Sequence, residues 1–347
     1  MSENATNQAI ETVDGLGLKV GDELRQMSDG LFGLRLALPF ALDHVNIWFL
    51  RDGPSWTLID TGIANEVTKT IWSGLLDGGL DGRKIARLIA THFHPDHMGL
   101  AGWLCQHTGA AFWASRIEWL TARALAHDDG SGFVEAGSHF DRLAGLSEEQ
   151  IAERAARGNV YRQRAVAPPA SYKRVQEGDL IEIDGESWQV MIGRGHAPEM
   201  ICLYSAERDL LLAADQVLQK ISPNIGVWPG EPEANPLADF IESLESFRVL
   251  PETALVLPSH GQAFYGLHAR IDELLDHHRQ RLDRAEDVAG SGKTAVEIMP
   301  SLFNRELDKH QLGFALGEAL AHLNFLVTQG RLKRDLDEAG RYLYSTV

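Results

Sequence analysis

The stretch Thr91-His92-Phe93-His94-Pro95-Asp96-His97-Met98-Gly99 constrains this chain more than any other, because it sets three imidazoles and a carboxylate into the pattern H-x-H-x-D-H. The run before it, Ile85-Ala86-Arg87-Leu88-Ile89-Ala90, reads as a short buried strand, and a helix-like stretch with Trp103 and Leu104 opens at Gly99. The polar groups therefore belong to a strand-to-helix loop, where side chains can converge on one point. Neutral imidazoles and a carboxylate are the donors that a zinc-class cation takes. His92 and His94, as alternate residues, can bind on one side of the loop, which leaves Asp96 and His97 to face a second position.

The same placement recurs along the chain. Trp56-Thr57-Leu58-Ile59 ends in Asp60-Thr61-Gly62, where Asp60 can reach sideways into a site or cap the amphipathic helix expected over residues 66–79. Trp188–Ile192 runs into Gly193-Arg194-Gly195-His196, Asp209–Ala213 leads to Asp215, and Ala254–Leu257 leads to Pro258-Ser259-His260-Gly261. Taken singly, His196 or His260 reads as a surface or core histidine. Their recurrence just past the ends of separate apolar strands makes them one set.

With 347 residues and 44% hydrophobic content, the chain can bury a large core in one catalytic domain and carry a smaller appendage. We expect a catalytic domain over residues 1–265, opening with a loosely held lead-in, and a helical domain over 266–347. Between about 118 and 172 a mostly helical insertion, with Asp128-Asp129-Gly130-Ser131-Gly132 as a turn, is read as a lid over the site. Ser147-Glu148-Glu149-Gln150 and Thr294-Ala295-Val296-Glu297 have the form of capping boxes. Met1-Ser2-Glu3-Asn4 lacks a signal-peptide start, and no run of eighteen apolar residues offers a membrane span. Only Cys105 and Cys202 are present, which suits a reducing, cytoplasmic setting. A net charge of -17 repels polyanions and counts against nucleic acid as a partner.

The order D-T-G, T-H-F-H-P-D-H, G-H, D and S-H-G resembles the metallo-β-lactamase superfamily over about residues 20–265. The resemblance implies an α/β fold, a four-layer αββα sandwich with the metal site at one edge of its two sheets. It implies that His92, His94 and His196 bind one metal and Asp96, His97 and His260 the other, with Asp215 bridging and Asp60 acting from behind the ligands. Asp96 together with an intact Asp215 points to the dinuclear hydrolase branch, which includes glyoxalase II, lactonases and zinc phosphodiesterases. Flavodiiron proteins carry Glu where this chain has His94, and persulfide dioxygenases share the first motif around one iron. Two zinc ions are therefore expected, with iron or manganese as alternatives. His44-Val45-Asn46 and Ile221–Ile225, through His44, Asn46 and Asn224, resemble segments that border the site in some superfamily hydrolases.

The tail reads as three helices followed by a hairpin, which resembles the winged helix that some of these hydrolases carry. From His268 to Val347 it holds 11 Lys/Arg against 13 Asp/Glu, so packing or homodimerisation suits it better than reading nucleic acid. Ala289–Thr294 is no phosphate loop, because the required first glycine is Asp287. Paired cations lower the pKa of a shared water toward about 7 and so supply hydroxide at neutral pH. The expected function is attack by that hydroxide on a thioester, ester or lactone of a small-molecule substrate, with Asp96 also passing a proton to the leaving group. A zinc-dependent nuclease or phosphodiesterase is the alternative, and a purely structural metal site the third reading.

Overall fold

The computed structural model describes residues 9–13, 16–21, 23–128, 130–303 and 311–347. The opening Met1-Ser2-Glu3-Asn4 and Asp129 of the expected turn lie outside the described residues. The chain divides into two compact units. The first comprises Met1–His127, Tyr161–Pro223 and Ser246–Ile271, and the second Asp128–Val160, Asn224–Glu245 and Asp272–Val347.

Two seven-stranded sheets make up the first unit. One runs, in spatial order, Arg25–Ser28, Leu31–Ala37, His44–Asp52, Ser55–Ile59, Lys84–Ile89, Ala111–Ala114 and Lys173–Arg174. Its strand His44–Asp52 is buried along most of its length because both faces are covered. Trp48 and Leu50 point into the core between the sheets, against Trp188, Val190, Leu203 and Leu257. Val45, Ile47 and Phe49 point the other way, onto Trp72, Met98, Leu100 and Leu104 of the helical layer. Each such fully buried side chain contributes roughly 1.5–3 kcal/mol of transfer free energy.

The strands from Ser55 onward join parallel, which requires a crossover between each pair. Ile59 pairs with Ile89, so the chain leaves both strands at the same edge, through Asp60 and through Thr91. The second sheet runs Glu11–Thr12, Phe264–Tyr265, Leu255–Pro258, Leu210–Ala214, Met200–Ser205, Glu186–Gly193 and Leu180–Ile183. There Ala214 pairs with Pro258 in parallel and Gly193 with Met200 antiparallel, so Asp215, His260 and the His196 loop also leave from one edge. Ile201 N–H donates to Thr91 O at 2.9 Å and Asn46 N–H to Ser259 O at 2.7 Å, which ties the two edges together.

The helix Glu66–Gly74 is capped by Asn65, whose side chain accepts from Thr68 N–H at 2.8 Å. Asp60 is therefore not the cap, and its carboxylate faces the site. Residues 118–127 and 161–172 of the helical insertion belong to the first unit and 128–160 to the second. In the second unit the helices Ser131–Ala144 and Glu148–Ala155 are followed by most of Pro236–Ser246, by the long helix over residues 272–289, and then by Ala295–Ile298 and Gln311–Thr328. Both capping boxes form, at Ser147 with Gln150 and at Thr294 with Glu297. Gln311–Thr328 is buried on nearly all sides from Ala315 to Asn324, as its mostly apolar sequence requires. Leu332–Leu336 and Tyr342–Thr346 close the chain as an antiparallel hairpin.

Candidate metal centre

The ligand candidates reach the same edge from four places in the chain: the 92–97 stretch, His196, Asp215 and His260. His92 and His94 stand before the short helix Pro95–Met98, which holds Asp96 and His97. Gly99 lets this helix close on the Asp60 loop, since a Cβ there would meet Pro95 O at 2.0 Å and Gly62 O at 2.8 Å. Thr61 completes the lock, with its N–H and hydroxyl both donating to His97 O, at 2.8 and 2.7 Å. Two non-glycine residues take the left-handed region beside the site, Asp60 at φ 66° and Ala214 at φ 46°. Such conformations cost on the order of 1–3 kcal/mol each and persist where surrounding structure imposes them. Here they aim Asp60 and Asp215 inward.

The donor atoms converge. His92 Nε2 lies 3.0 Å from His94 Nδ1. Asp215 stands 3.6 Å from His97 Nε2, 3.4 Å from His196 Nε2 and 3.2 Å from His260 Nε2. Asp96 stands 3.7 Å from His97 Nε2 and 3.6 Å from His260 Nε2. Three sets have ligand atoms within 4.8 Å of one another: His92–His94–His196, His92–His97–Asp215 and Asp96–His97–His260. A tetrahedral ion with arms of about 2.0–2.1 Å holds its donors roughly 3.3 Å apart. The observed spacings bracket that value.

The far side of each ring explains which nitrogen faces inward. His97 Nδ1 bonds Asp60 Oδ2 at 2.8 Å, and Asp60 is itself held by Thr91 N–H and the Thr91 hydroxyl at 2.7 and 2.8 Å. His260 Nδ1 donates to His44 O at 2.6 Å. Outer bonds of this kind fix the tautomer and leave Nε2 as a lone pair. His97 Nε2, His260 Nε2 and Asp215 Oδ1 are then buried without a hydrogen bond of ordinary geometry among the described residues. A buried lone pair facing a carboxylate is unfavourable unless a cation lies between them. These residues therefore fit a divalent metal.

The electrostatics agree. Burial holds His92 and His94 well below the usual imidazole range, in the neutral form that binds metal. Burial also opposes charge on His97 and His260, yet Asp215 and Asp96 outweigh it and raise both. For Asp215, burial opposes the carboxylate, but His260 and His97 hold its pKa well below the ordinary value.

Among the residues singled out as bordering the site, His44 accepts Gly261 N–H on Nε2 at 2.8 Å. Asn46 is buried and bonds Pro258 O at 2.9 Å through its amide, while its Oδ1 accepts from Arg35 Nε at 2.9 Å. Both residues thus support the loop that carries His260. Asn224 falls in the second unit, with its amide toward Phe314 O and Glu318.

Three contributors are not legible in the sequence. Glu118 is fully buried, accepting Phe93 N–H at 2.9 Å and Glu199 N–H at 2.6 Å, so one carboxyl clamps the His92–His94 and His196 loops. Burial pushes it up to about 7. Tyr161 donates to Phe93 O at 2.7 Å. Arg164 lies over the Phe40 ring at 4.6 Å, within electrostatic reach of Asp96. In sequence all three are ordinary members of a charged helical stretch, and only tertiary contact distinguishes them.

A two-sheet α/β sandwich with a histidine–aspartate cage at one edge is the architecture of a metal-binding hydrolase. Residues 41–260 match the Metallo-beta-lactamase superfamily, and 282–347 match the Metallo-beta-lactamase-like C-terminal domain. The chain belongs to the metallo-beta-lactamase superfamily and has its αββα fold. It is 36% identical to a Beta-lactamase domain protein from Burkholderia ambifaria, with a TM-score of 0.89 over 97% of this chain and 98% of that one. A metallo-beta-lactamase family protein from Thermus thermophilus is 28% identical, with a TM-score of 0.79 over 93% of this chain and 100% of that one. Human acyl-coenzyme A thioesterase MBLAC2 is 27% identical over 202 residues, 56% of this chain. The match spans 65% of that relative's length. No helix among the described residues is long and apolar enough to cross a membrane.

Proposed function

We propose that this chain is a dinuclear metal-dependent hydrolase of a carbonyl ester-type bond, a thioester, ester or lactone, in a small molecule. The observation that carries the reading is Asp215, which stands within 3.2–3.6 Å of histidines from both donor groups and so suits a bridge between two cations. His92, His94 and His196 would hold one ion and Asp96, His97 and His260 the other, with zinc the first expectation and iron or manganese alternatives. A seven-ligand set shared by two ions leaves positions for water and substrate, unlike a closed structural site. Bound divalent cations supply Lewis acidity and ready ionisation of water near neutral pH.

The protein's own part follows from position. Asp60 acts through His97, holding its Nδ1–H so that Nε2 faces inward. His44 O does the same for His260. Asp96 keeps a side chain 19% exposed against 7% for Asp215, so it can both bind and pass a proton toward the leaving group. The thioesterase relative supports a thioester among the candidate bonds.

For the tail we retain a winged-helix-like module that packs or dimerises. Three of its arginines face acids: Arg331 meets Asp283 and Glu286, Arg334 meets Glu233, and Arg341 meets Asp337. Neutralised in this way they offer phosphates little, which weighs against a nuclease. The test is hydrolysis by metal-reconstituted protein across acyl-CoA, acyl-glutathione, lactone, aryl ester and bis-phosphodiester substrates. Turnover of at least one carbonyl substrate above the phosphodiester is expected, and the reverse ranking would install the nuclease reading.

A further inference from the structure

Arg164 ends the short helix Val160–Arg164 and belongs to the first unit. Its backbone is fixed beside the metal loops. Arg164 O accepts Ala64 N–H at 3.0 Å, and two residues on Val166 N–H donates to Gly99 O at 2.7 Å. A Cβ on Gly102 would meet Ala167 O at 2.0 Å, so this segment lies tight against the helix that follows the histidine motif.

The guanidinium carbon lies over the Phe40 ring, 4.6 Å from its centroid, and among the described residues the side chain makes no ion pair or side-chain hydrogen bond. A contact with the ring takes up none of the five N–H donors. Arg35 and Arg123, also buried or half-buried without a paired acid, spend donors on Asn46 Oδ1 and Gly261 O and on Pro168 O, whereas half-buried Arg164 has no such acceptor among the described residues. The one carboxylate whose charge it feels is Asp96. As a metal ligand, Asp96 would give that charge to the cation and leave Arg164 without a counter-charge.

We propose that Arg164 is a substrate-anchoring residue that binds an anionic group, a carboxylate or phosphate, on the molecule whose ester-type bond meets the metals. The proposal rests on the hydrolase reading above and narrows its substrate to an acid-bearing thioester or ester. Phe40 holds the guanidinium in place without using its donors, which leaves paired N–H groups for the anion, the pairing that arginine offers carboxylates and phosphates.

The experiment compares wild type, R164A and R164K on two matched pairs of substrates. Mono-p-nitrophenyl glutarate against p-nitrophenyl butyrate places a carboxylate on the acyl side. Butyryl-CoA against butyryl-N-acetylcysteamine places phosphates on the thiol side. R164A is expected to raise KM for the anionic member of one pair by about 10- to 100-fold, the range of a charge-assisted hydrogen bond. Its kcat should stay within about threefold and the neutral member should be unaffected, while R164K keeps part of the difference. Whichever pair responds identifies the source of the anion.

Equal effects on both members of each pair, or none, would overturn the anchor and leave Arg164 as packing on Phe40. If wild type cleaves none of the four, the wider substrate panel decides the hydrolase reading, and calorimetric titration with glutarate and with inorganic phosphate decides the anchor separately. Weaker binding of either anion by R164A than by wild type supports it, and equal binding removes it.

Discussion

Buried histidines occur in both units, and their surroundings give them opposite characters. In the second unit His278 Nδ1 meets His322 Nε2 at 3.2 Å, and His322 Nδ1 donates to Glu318 O at 2.7 Å. This is a chain of neutral rings, because a proton on His322 Nε2 would face the N–H of His278. Burial pushes His278 well down and His322 down to about 4, and the charges acting on His322 from Arg281 and His277 push the same way. In the first unit burial is as complete, yet Asp215 and Asp96 reverse its effect on His97 and His260. Identical side chains at like depth form a packing pair where, among the described residues, no carboxylate faces the rings and a cation cage where Asp215 and Asp96 do. Burial alone does not make a metal site; carboxylates facing imidazole lone pairs do.

The largest break in that contrast is removal of the central carboxylate. D215A should lose bound metal by elemental analysis and reduce hydrolysis by more than about 100-fold, beyond the 10- to 100-fold cost of losing an outer partner. D60N leaves the donor set whole, but it removes the charge behind His97 and replaces one acceptor oxygen with an amide that cannot accept from Thr91 or His97. Its metal affinity should fall about 10- to 100-fold in a chelator competition with the fold retained by circular dichroism. An unchanged affinity would strip Asp60 of its positioning role.

The neutral pair makes a pH prediction of definite sign. The folded-state pKa of His322 is depressed from 6.5 to about 4, so the unfolded chain binds the extra proton. The stability contributed by keeping it neutral is present above about pH 6.5 and is lost as pH falls toward 4, on the order of 3 kcal/mol in all. Hydrogen exchange of the amides in Gln311–Thr328 should therefore accelerate across that window. H322L should flatten this pH dependence, and hydrolysis at pH 7.5 should stay within about threefold of wild type. A variant whose exchange keeps the full acid slope would assign that slope to other groups.

What the sequence makes legible follows from how locally each feature is encoded. The loop Thr91–Gly99 and the strands that end at Asp60, His196, Asp215 and His260 can be read because apolar runs and the polar residues after them are contiguous. The capping boxes at Ser147 and Thr294 are equally local, and both form. Asp60 is ambiguous in sequence between cap and site, since both uses suit a carboxylate after a strand; Asn65, five residues on, takes the cap. Glu118 and Arg164 are invisible there because their roles depend on contacts with Phe93, Glu199 and Phe40, far away in the chain. The insertion over 118–172 reads as one body, but its limbs and its middle fall in different compact units. A division set by three-dimensional contacts leaves no mark in a run of charged helix.

The most direct measurement is an equilibrium titration of metal-stripped protein with zinc, recording bound metal and thioester hydrolysis in the same samples. The cage of seven donors, with Asp215 at its centre as one of them, predicts two equivalents bound per chain, with hydrolysis rising mainly on the second. Hydrolysis that is complete at one equivalent, with no second ion taken up, would contradict a two-cation centre.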